Sequence, residues 1–266
     1  MVGSDLLGAE VARAVEEFAR QEDAAVKLDL RGTRPGTEDL AAGRADVGIF
    51  LLPADEAPPR GDLVSRVMGY HVAVVAVPVA SSLTQITVAQ LRGVFSEAAK
   101  ESYTRWGELN QSGEWAARPI ALHALAPSGP GLAVVPAADP GRGRPPGGVQ
   151  FAATDDALMQ RLRAADNSIG VGGAGMAGPA GLRVLAVAAG PTEPAYTPTA
   201  ENVHRGSYPL RLVLHVVFPR AAAPRLLRFL KFLLADETAT ALAPAHFVPL
   251  PRGARNQLVF ELAEMR

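Results

Sequence analysis

Cysteine is absent from this 266-residue chain, which removes disulfides, thiolate metal sites and cysteine nucleophiles and leaves the redox compartment open. An excess of either charge is lacking too: 26 Lys and Arg stand against 27 Asp and Glu, for a net charge of -1. There is therefore no electrostatic footprint for nucleic acid or for an anionic membrane. Long apolar runs are also missing. The longest, Val72–Val79 and Leu212–Phe218, are strand-sized and fall short of the ~18 residues of a membrane span. Catalytic signatures are lacking as well: there is no H-E-x-x-H, no G-x-S-x-G elbow and no Walker loop. His71, His123, His204, His215 and His246 are scattered without metal-ligand spacing. The run Gly170-Val171-Gly172-Gly173-Ala174-Gly175 looks like a dinucleotide loop, but its spacing is wrong for G-x-G-x-x-G, and it reads as a flexible turn. No enzyme, metal or cofactor is expected.

What is present is a regular alternation of helices and strands. Leu7, Val11, Ala14, Val15 and Phe18 make one apolar face of a helix over 6–20. Val26, Leu28 and Leu30 alternate with charges, as in a strand. Thr37 to Ala42 reads as a short helix stopped by Gly43, Asp46–Leu52 as a buried strand, and Pro53 to Asp62 as a loop. Val72–Val79 is apolar throughout, as a strand covered on both faces would be. Thr87 and Thr154 are positioned to cap helices, Ile120–Leu125 and Ser168–Gly172 read as strands, and Leu182–Val187 as another. Pro127 to Gly148 is dominated by Gly and Pro and reads mostly as loop. Ala221–Ala235 is an amphipathic helix, and Arg255 to Arg266 a last surface helix. Such alternation argues for an α/β fold with mostly parallel sheets.

The most informative stretch is Tyr196-Thr197-Pro198-Thr199-Ala200-Glu201-Asn202-Val203-His204-Arg205-Gly206-Ser207-Tyr208-Pro209-Leu210. It reads as a turn, a helix capped by Thr199, a left-handed stop at Gly206, and an extended run into Arg211 to Phe218. This segment resembles the "PT-x-E-N-V-x-x-G-x-Y-P-L" signature of phosphate-type (PstS-like) periplasmic solute-binding proteins of ABC transporters. Further matches are "VGSDLLGA", "RGTRPGTEDLAAGRADVG", "QITVAQLRGVFS" with "RWGEL", "NSIGV" and "FLKFLLADETATALAPAHFVPL". The resemblance implies a two-lobed, type II-like binding-protein fold, each lobe a mostly parallel sheet flanked by helices. Lobe 1 would be residues 1–77 plus 206–266 and lobe 2 residues 78–205. It also implies a periplasmic or extracytoplasmic location, with a leader removed or not included and a first strand that normally runs for several residues before Gly3. It implies a monomer that takes up a small anion or polar solute and hands it to an ABC permease, with no nucleic-acid partner and no membrane insertion.

In that family three loops wrap the oxyanion in the cleft, and each has a counterpart here. Gly3-Ser4-Asp5-Leu6 starts the first helix, Gly32-Thr33-Arg34-Pro35-Gly36-Thr37 turns into the next, and Ser128-Gly129 follows the Ile120 strand. The resemblance makes Ser4, Asp5, Leu6, Thr33, Arg34, Gly36, Ser128 and Gly129 ligand-binding candidates, mainly through helix-start N–H groups. Departures lie beside them. Phe50 stands where Ser is usual and Leu51 where Asp is usual, Asp55 is out of register, Ala124 replaces an arginine, and Pro130 replaces a threonine. Phe50 and Leu51 are expected to line the mouth of the cleft and make it more apolar, with Arg34 as replacement charge. Two roles follow: a phosphate-type receptor with weakened anion recognition, or a degenerate binding-protein domain serving as sensor or protein-interaction module.

Overall fold

The computed structural model describes residues 1–96, 99, 101–126, 148–176 and 181–265. Its first elements are β1 (Val2–Gly3), a 3-10 turn (Asp5–Leu7), α1 (Gly8–Gln21), α2 (Thr33–Ala41), β2 (Gly48–Pro53) and β3 (Leu63–Pro78). Then come β4 (Gln85–Thr87), α3 (Val88–Phe95), β5 (Ala121–Leu125), β6 (Gln150–Ala152), α4 (Asp155–Ala164) and β7 (Ser168–Gly173). The rest is β8 (Leu182–Val184), β9 (Ala186–Ala188), β10 (Ala195–Tyr196), α5 (Ala200–Arg205), β11 (Arg211–Pro219), α6 (Ala223–Leu233), α7 (Asp236–Leu242), β12 (Phe247–Pro249) and α8 (Arg252–Glu264). The chain divides into two compact units, Met1–His71 with Leu212–Arg266, and Val72–Arg211.

In the first unit, β1 lies parallel to β2, and β2 antiparallel to β11 with Phe50 opposite His215. Because side chains alternate along a strand, β2 feeds two cores. Ile49 and Leu51 join Leu214, Val216 and Phe218 against Leu7, Val11 and Val15 of the first helical segment and Leu230 and Leu233 of α6. Phe50 and Leu52 join Val2, Leu40 and Val217 on the α2 side. Arg255 of α8 is buried at 8% exposure and donates to the carbonyls of Leu250 and Leu234 and to Asp236 Oδ1.

In the second unit, β7 pairs antiparallel with β3 and parallel with β5, and β5 parallel with β6. Leu158, Met159 and Leu162 of α4 pack on Val74, Ala76, Leu125 and Ala152. Gly172 lets the helix approach: a Cβ there would stand 2.0 Å from Met176 Sδ and 2.8 Å from Leu158 Cδ2. The glycine-rich run therefore serves packing. A second sheet runs β10-β9-β4.

Several expectations need correcting. The sheets are mixed rather than mostly parallel, because the long strands β3 and β11 and the short β12 run back against their neighbours. Residues 26–30 form no strand; Asp29 makes a lone parallel bridge to Val2, since alternation without a partner of matching length gives no ladder. Helix α2 begins at Thr33, not Thr37, because proline is tolerated in a first helical turn. The segment 182–187 is two short strands, and β3 starts at Leu63.

Candidate functional site

Two helix starts are brought together at the carboxyl end of β1. β1 ends at Gly3 and feeds the turn capped by Ser4, whose Oγ accepts from Leu6 N–H at 3.2 Å. Asp29, in register with β1, leads to Gly32 and α2. Three contacts fasten the pair. Gly32 N–H donates to Gly3 O at 2.9 Å. Thr33 Oγ1 accepts from Leu51 N–H at 3.1 Å and donates to Leu51 O at 3.3 Å. Gly36 lies so close that a Cβ would meet Gly3 N and Phe50 Cε1, both at 3.0 Å. A side chain there would have to push the Gly3 backbone or the Phe50 ring back by a few tenths of an ångström.

The consequence is a small surface of backbone donors. The first-turn N–H groups of a helix have no intrahelical acceptor. At the start of α2 these belong to Thr33 and Arg34, because Pro35 has none and Gly36 N–H returns to Gly32 O. At the first helical segment Asp5 contributes its own, because the Leu6 N–H is taken by Ser4 Oγ and Leu7, 1% exposed, turns its N–H into the 3-10 segment. The partial positive charge of the two starts favours an anion there.

Side chains add less. Ser4 is 2% exposed, so its hydroxyl serves as a cap. The Thr33 hydroxyl is used twice inside the protein, which leaves its N–H for a ligand. Arg34 reaches into solvent with 93% of its side chain exposed and only a long 3.7 Å contact to Glu38. Nearby cations are spoken for: Arg31 pairs with Asp29 and Asp39, and Arg44 with Asp39. The hydrogen bond from Arg31 holds the Asp29 carboxyl below the usual range. Arg34 is thus the cation of this neighbourhood with the loosest partner.

Phe50 does not line a mouth. It is fully buried on the α2 side of β2, and Leu51 sits in the opposite core at 7% exposure. The alternation of β2 sends both side chains inward, so the candidate Phe50 is withdrawn from the site. Ala124 is fully buried on β5. Beside it His123 has no partner on either ring nitrogen among the described residues, and burial first, then Arg161, lowers its pKa. Ser128, Gly129 and Pro130 lie outside the described residues. Sequence reasoning missed the Thr33–Leu51 tie, which pairs residues 18 apart and has no local signal.

A cavity of about 510 Å3 opens beside Val2 and Val47, at the amino ends of the same strands. Two of its arginines are matched, Arg225 to Asp46 at 2.5 Å and Arg228 to Glu22 at 2.7 Å.

Comparison with known proteins gives a consistent outcome. Residues 5–237 match the model described as a PBP superfamily domain. The chain is 24% identical, over 98% of its length and 85% of the other's, to the phosphate-binding protein PstS of Pseudomonas aeruginosa. Among solved structures, a "possible phosphate binding protein" from Planctomyces limnophilus superposes with a TM-score of 0.80 at 20% identity, covering 99% of this chain and 96% of that one. An ABC-type phosphate transport receptor from Vibrio cholerae does so with a TM-score of 0.72 at 15% identity, covering 94% of this chain and 98% of that one. The α/β fold is shared with these proteins.

Proposed function

Because the chain belongs to the PBP superfamily, we propose that it is a phosphate-type solute receptor of an ABC uptake system rather than an enzyme. It acts as a monomer outside the cytoplasm and passes its solute to a membrane permease. Among the described residues no helix is long and apolar enough to cross a membrane. The observation that carries the reading is the pair of helix starts fastened at Gly3, Gly32 and Gly36. Asp5, Thr33 and Arg34 would present the oxyanion with backbone N–H groups, and Arg34 with charge, while the Leu6 N–H stays on Ser4 Oγ. Ser4 and Gly36 would hold these donors in place, and Ser128-Gly129 would complete the family pattern. The similar proteins named above are phosphate binders or receptors by name.

Recognition would be weaker than in relatives with the full set of anchors. The family's aspartate and arginine positions are Leu51 and Ala124 here, both in cores. Each charge-assisted hydrogen bond is worth roughly 1.5–3 kcal/mol, so two or three missing ones cost several orders of magnitude in affinity. The rival reading, a degenerate interaction module, draws on Phe50, Leu51, Ala124 and Pro130. The burial of Phe50 and Leu51 removes the apolar cleft mouth from its support.

The test is calorimetric titration of phosphate into protein that has been unfolded, dialysed and refolded to remove carried-over ligand. Saturable binding in the micromolar to millimolar range is expected, and Arg34→Ala should weaken it about tenfold, the equivalent of one exposed charge contact. Absence of heat at millimolar phosphate overturns the reading.

A further inference from the structure

The second unit holds a polar cavity of about 390 Å3 beside strand β4, built from three separate stretches of chain. Ser82, Thr84 and Gln85 come from β4 and its approach, Asn110 and Gln111 from the turn that follows the 3-10 segment Trp106–Leu109, and Glu193 from the β9–β10 loop. Pro191 supplies exposed apolar surface, with Leu83, Ile86 and Leu109 buried beneath.

Several hydrogen-bonding groups here are left over among the described residues. Gln111 is only 9% exposed, and its Oε1 accepts from Ser82 Oγ at 2.5 Å, which fixes the amide and leaves its NH2 for the cavity. Asn110 is held in the left-handed region (φ 62°) with its N–H on Gly107 O, so its side chain stands on a rigid turn. β4 is an edge strand with β9 on one side only. Ala186 N–H donates to Thr84 O, so the ladder uses the residues flanking Gln85 and leaves the Gln85 N–H and C=O on the outer edge. The charge is one-sided: Glu193 is present, and no Lys or Arg lines the cavity.

We propose that this cavity binds a neutral, hydroxyl-rich molecule of monosaccharide size. Amides and hydroxyls both donate and accept, which matches ligand hydroxyls that do the same. A carboxylate such as Glu193 accepts from neighbouring hydroxyls, while Pro191 takes a C–H face. An anion is disfavoured by Glu193 and finds no cation to offset it. At about 390 Å3 the space lies at the small end of the roughly 300–1,000 Å3 range of ligand pockets, which favours one sugar ring over a longer chain. The site belongs to the unit formed by Val72–Arg211, whereas the donors at Gly3 and Thr33 belong to the other. It therefore stands or falls independently of phosphate binding.

The experiment is 15N NMR of the intact protein, titrated to millimolar levels with D-glucose, D-galactose and myo-inositol, and separately with phosphate and with ammonium. Saturable movement of the Gln111 and Asn110 side-chain amide signals with one of the three neutral probes is expected. Thr84→Val, Gln111→Leu and Asn110→Gly, which preserves the left-handed turn, should each weaken that response about tenfold, equivalent to about 1.4 kcal/mol. Thr84→Val keeps the test decisive if Gln111→Leu does not fold. No response to any neutral probe, a response unchanged in the variants, or a larger response to phosphate or ammonium each overturns the proposal.

Discussion

The segment Thr197–Leu210 and the paired helix starts at Ser4 and Thr33 use the same parts, a capping hydroxyl and close glycines, to opposite ends. In the first, the bonds close on the protein itself. Asn202 O accepts from Ser207 and Tyr208 N–H, its N–H donates to Thr199 Oγ1 at 3.2 Å, and its Nδ2 donates to Thr197 O at 3.0 Å. Gly206 takes φ 84°, and Tyr208, fully buried, donates its OH to Ala73 O at 2.7 Å. Burial raises the Tyr208 pKa far above the ordinary phenol, so that proton is permanently available to donate. In the second, the hydroxyls of Ser4 and Thr33 are spent on holding the loops, and the N–H groups behind them stay open. A motif whose donors are filled identifies the fold. A motif whose donors are left over is where a ligand would go.

The comparison predicts that damage on the two sides separates into stability and binding. The largest effect is expected beneath the helix starts. Phe50→Ala should cost about 3–5 kcal/mol in urea unfolding, since it empties the core shared by Val2, Leu40 and Leu52. A loss below about 1 kcal/mol would mean that Phe50 is not packed as described. Next, Tyr208→Phe should cost about 1–3 kcal/mol by leaving Ala73 O without its donor, yet leave the phosphate titration unchanged. A change in affinity would blur the division between the two regions. Smallest over a single pH unit is a pH dependence near the same strand. His71, two residues before Ala73 on β3, is 1% exposed and packs edge-on to Phe247 with ring centroids 4.7 Å apart. Burial first and His246 second push its pKa down to about 3, against a weaker upward pull from the Ala245 backbone. Below the ordinary value of 6.5 the unfolded chain binds a proton that the folded chain refuses. Stability is therefore full above that pH and falls by about 1.4 kcal/mol per pH unit beneath it, until the pH nears the folded value. His71→Leu should flatten this part of the acid limb; an unaltered slope would assign it to other groups.

What the sequence disclosed was local. Thr87, Thr154 and Thr199 cap their helices and Gly206 stops α5 as expected, because a cap and the N–H it serves are only three residues apart. The helix start at Thr33 was hidden because Pro35 and Gly36 carry a turn signal that a first helical turn also tolerates. The inward placement of Phe50 depends on space left by Gly36 and Gly48, and a Cβ at Gly48 would lie 2.2 Å from the ring. No pattern within β2 reports such space. The cavity at Gln111 is assembled from residues near 84, 110 and 190, so nothing in any one stretch announces it.

The tie between Thr33 and Leu51 also constrains redesign. Leu51 occupies the family's aspartate position, and the obvious graft to strengthen phosphate capture is Leu51→Asp. Its side chain points into the core of Ile49, Leu214 and Phe218, so the graft would bury a carboxylate among aliphatic groups instead of presenting it to a guest. Sliding β2 by one residue to turn that position outward would send Phe50 and Leu52 to the wrong face and break both bonds to Thr33 Oγ1. An engineer is better served by the exposed turn that follows β2, where Asp55 already stands.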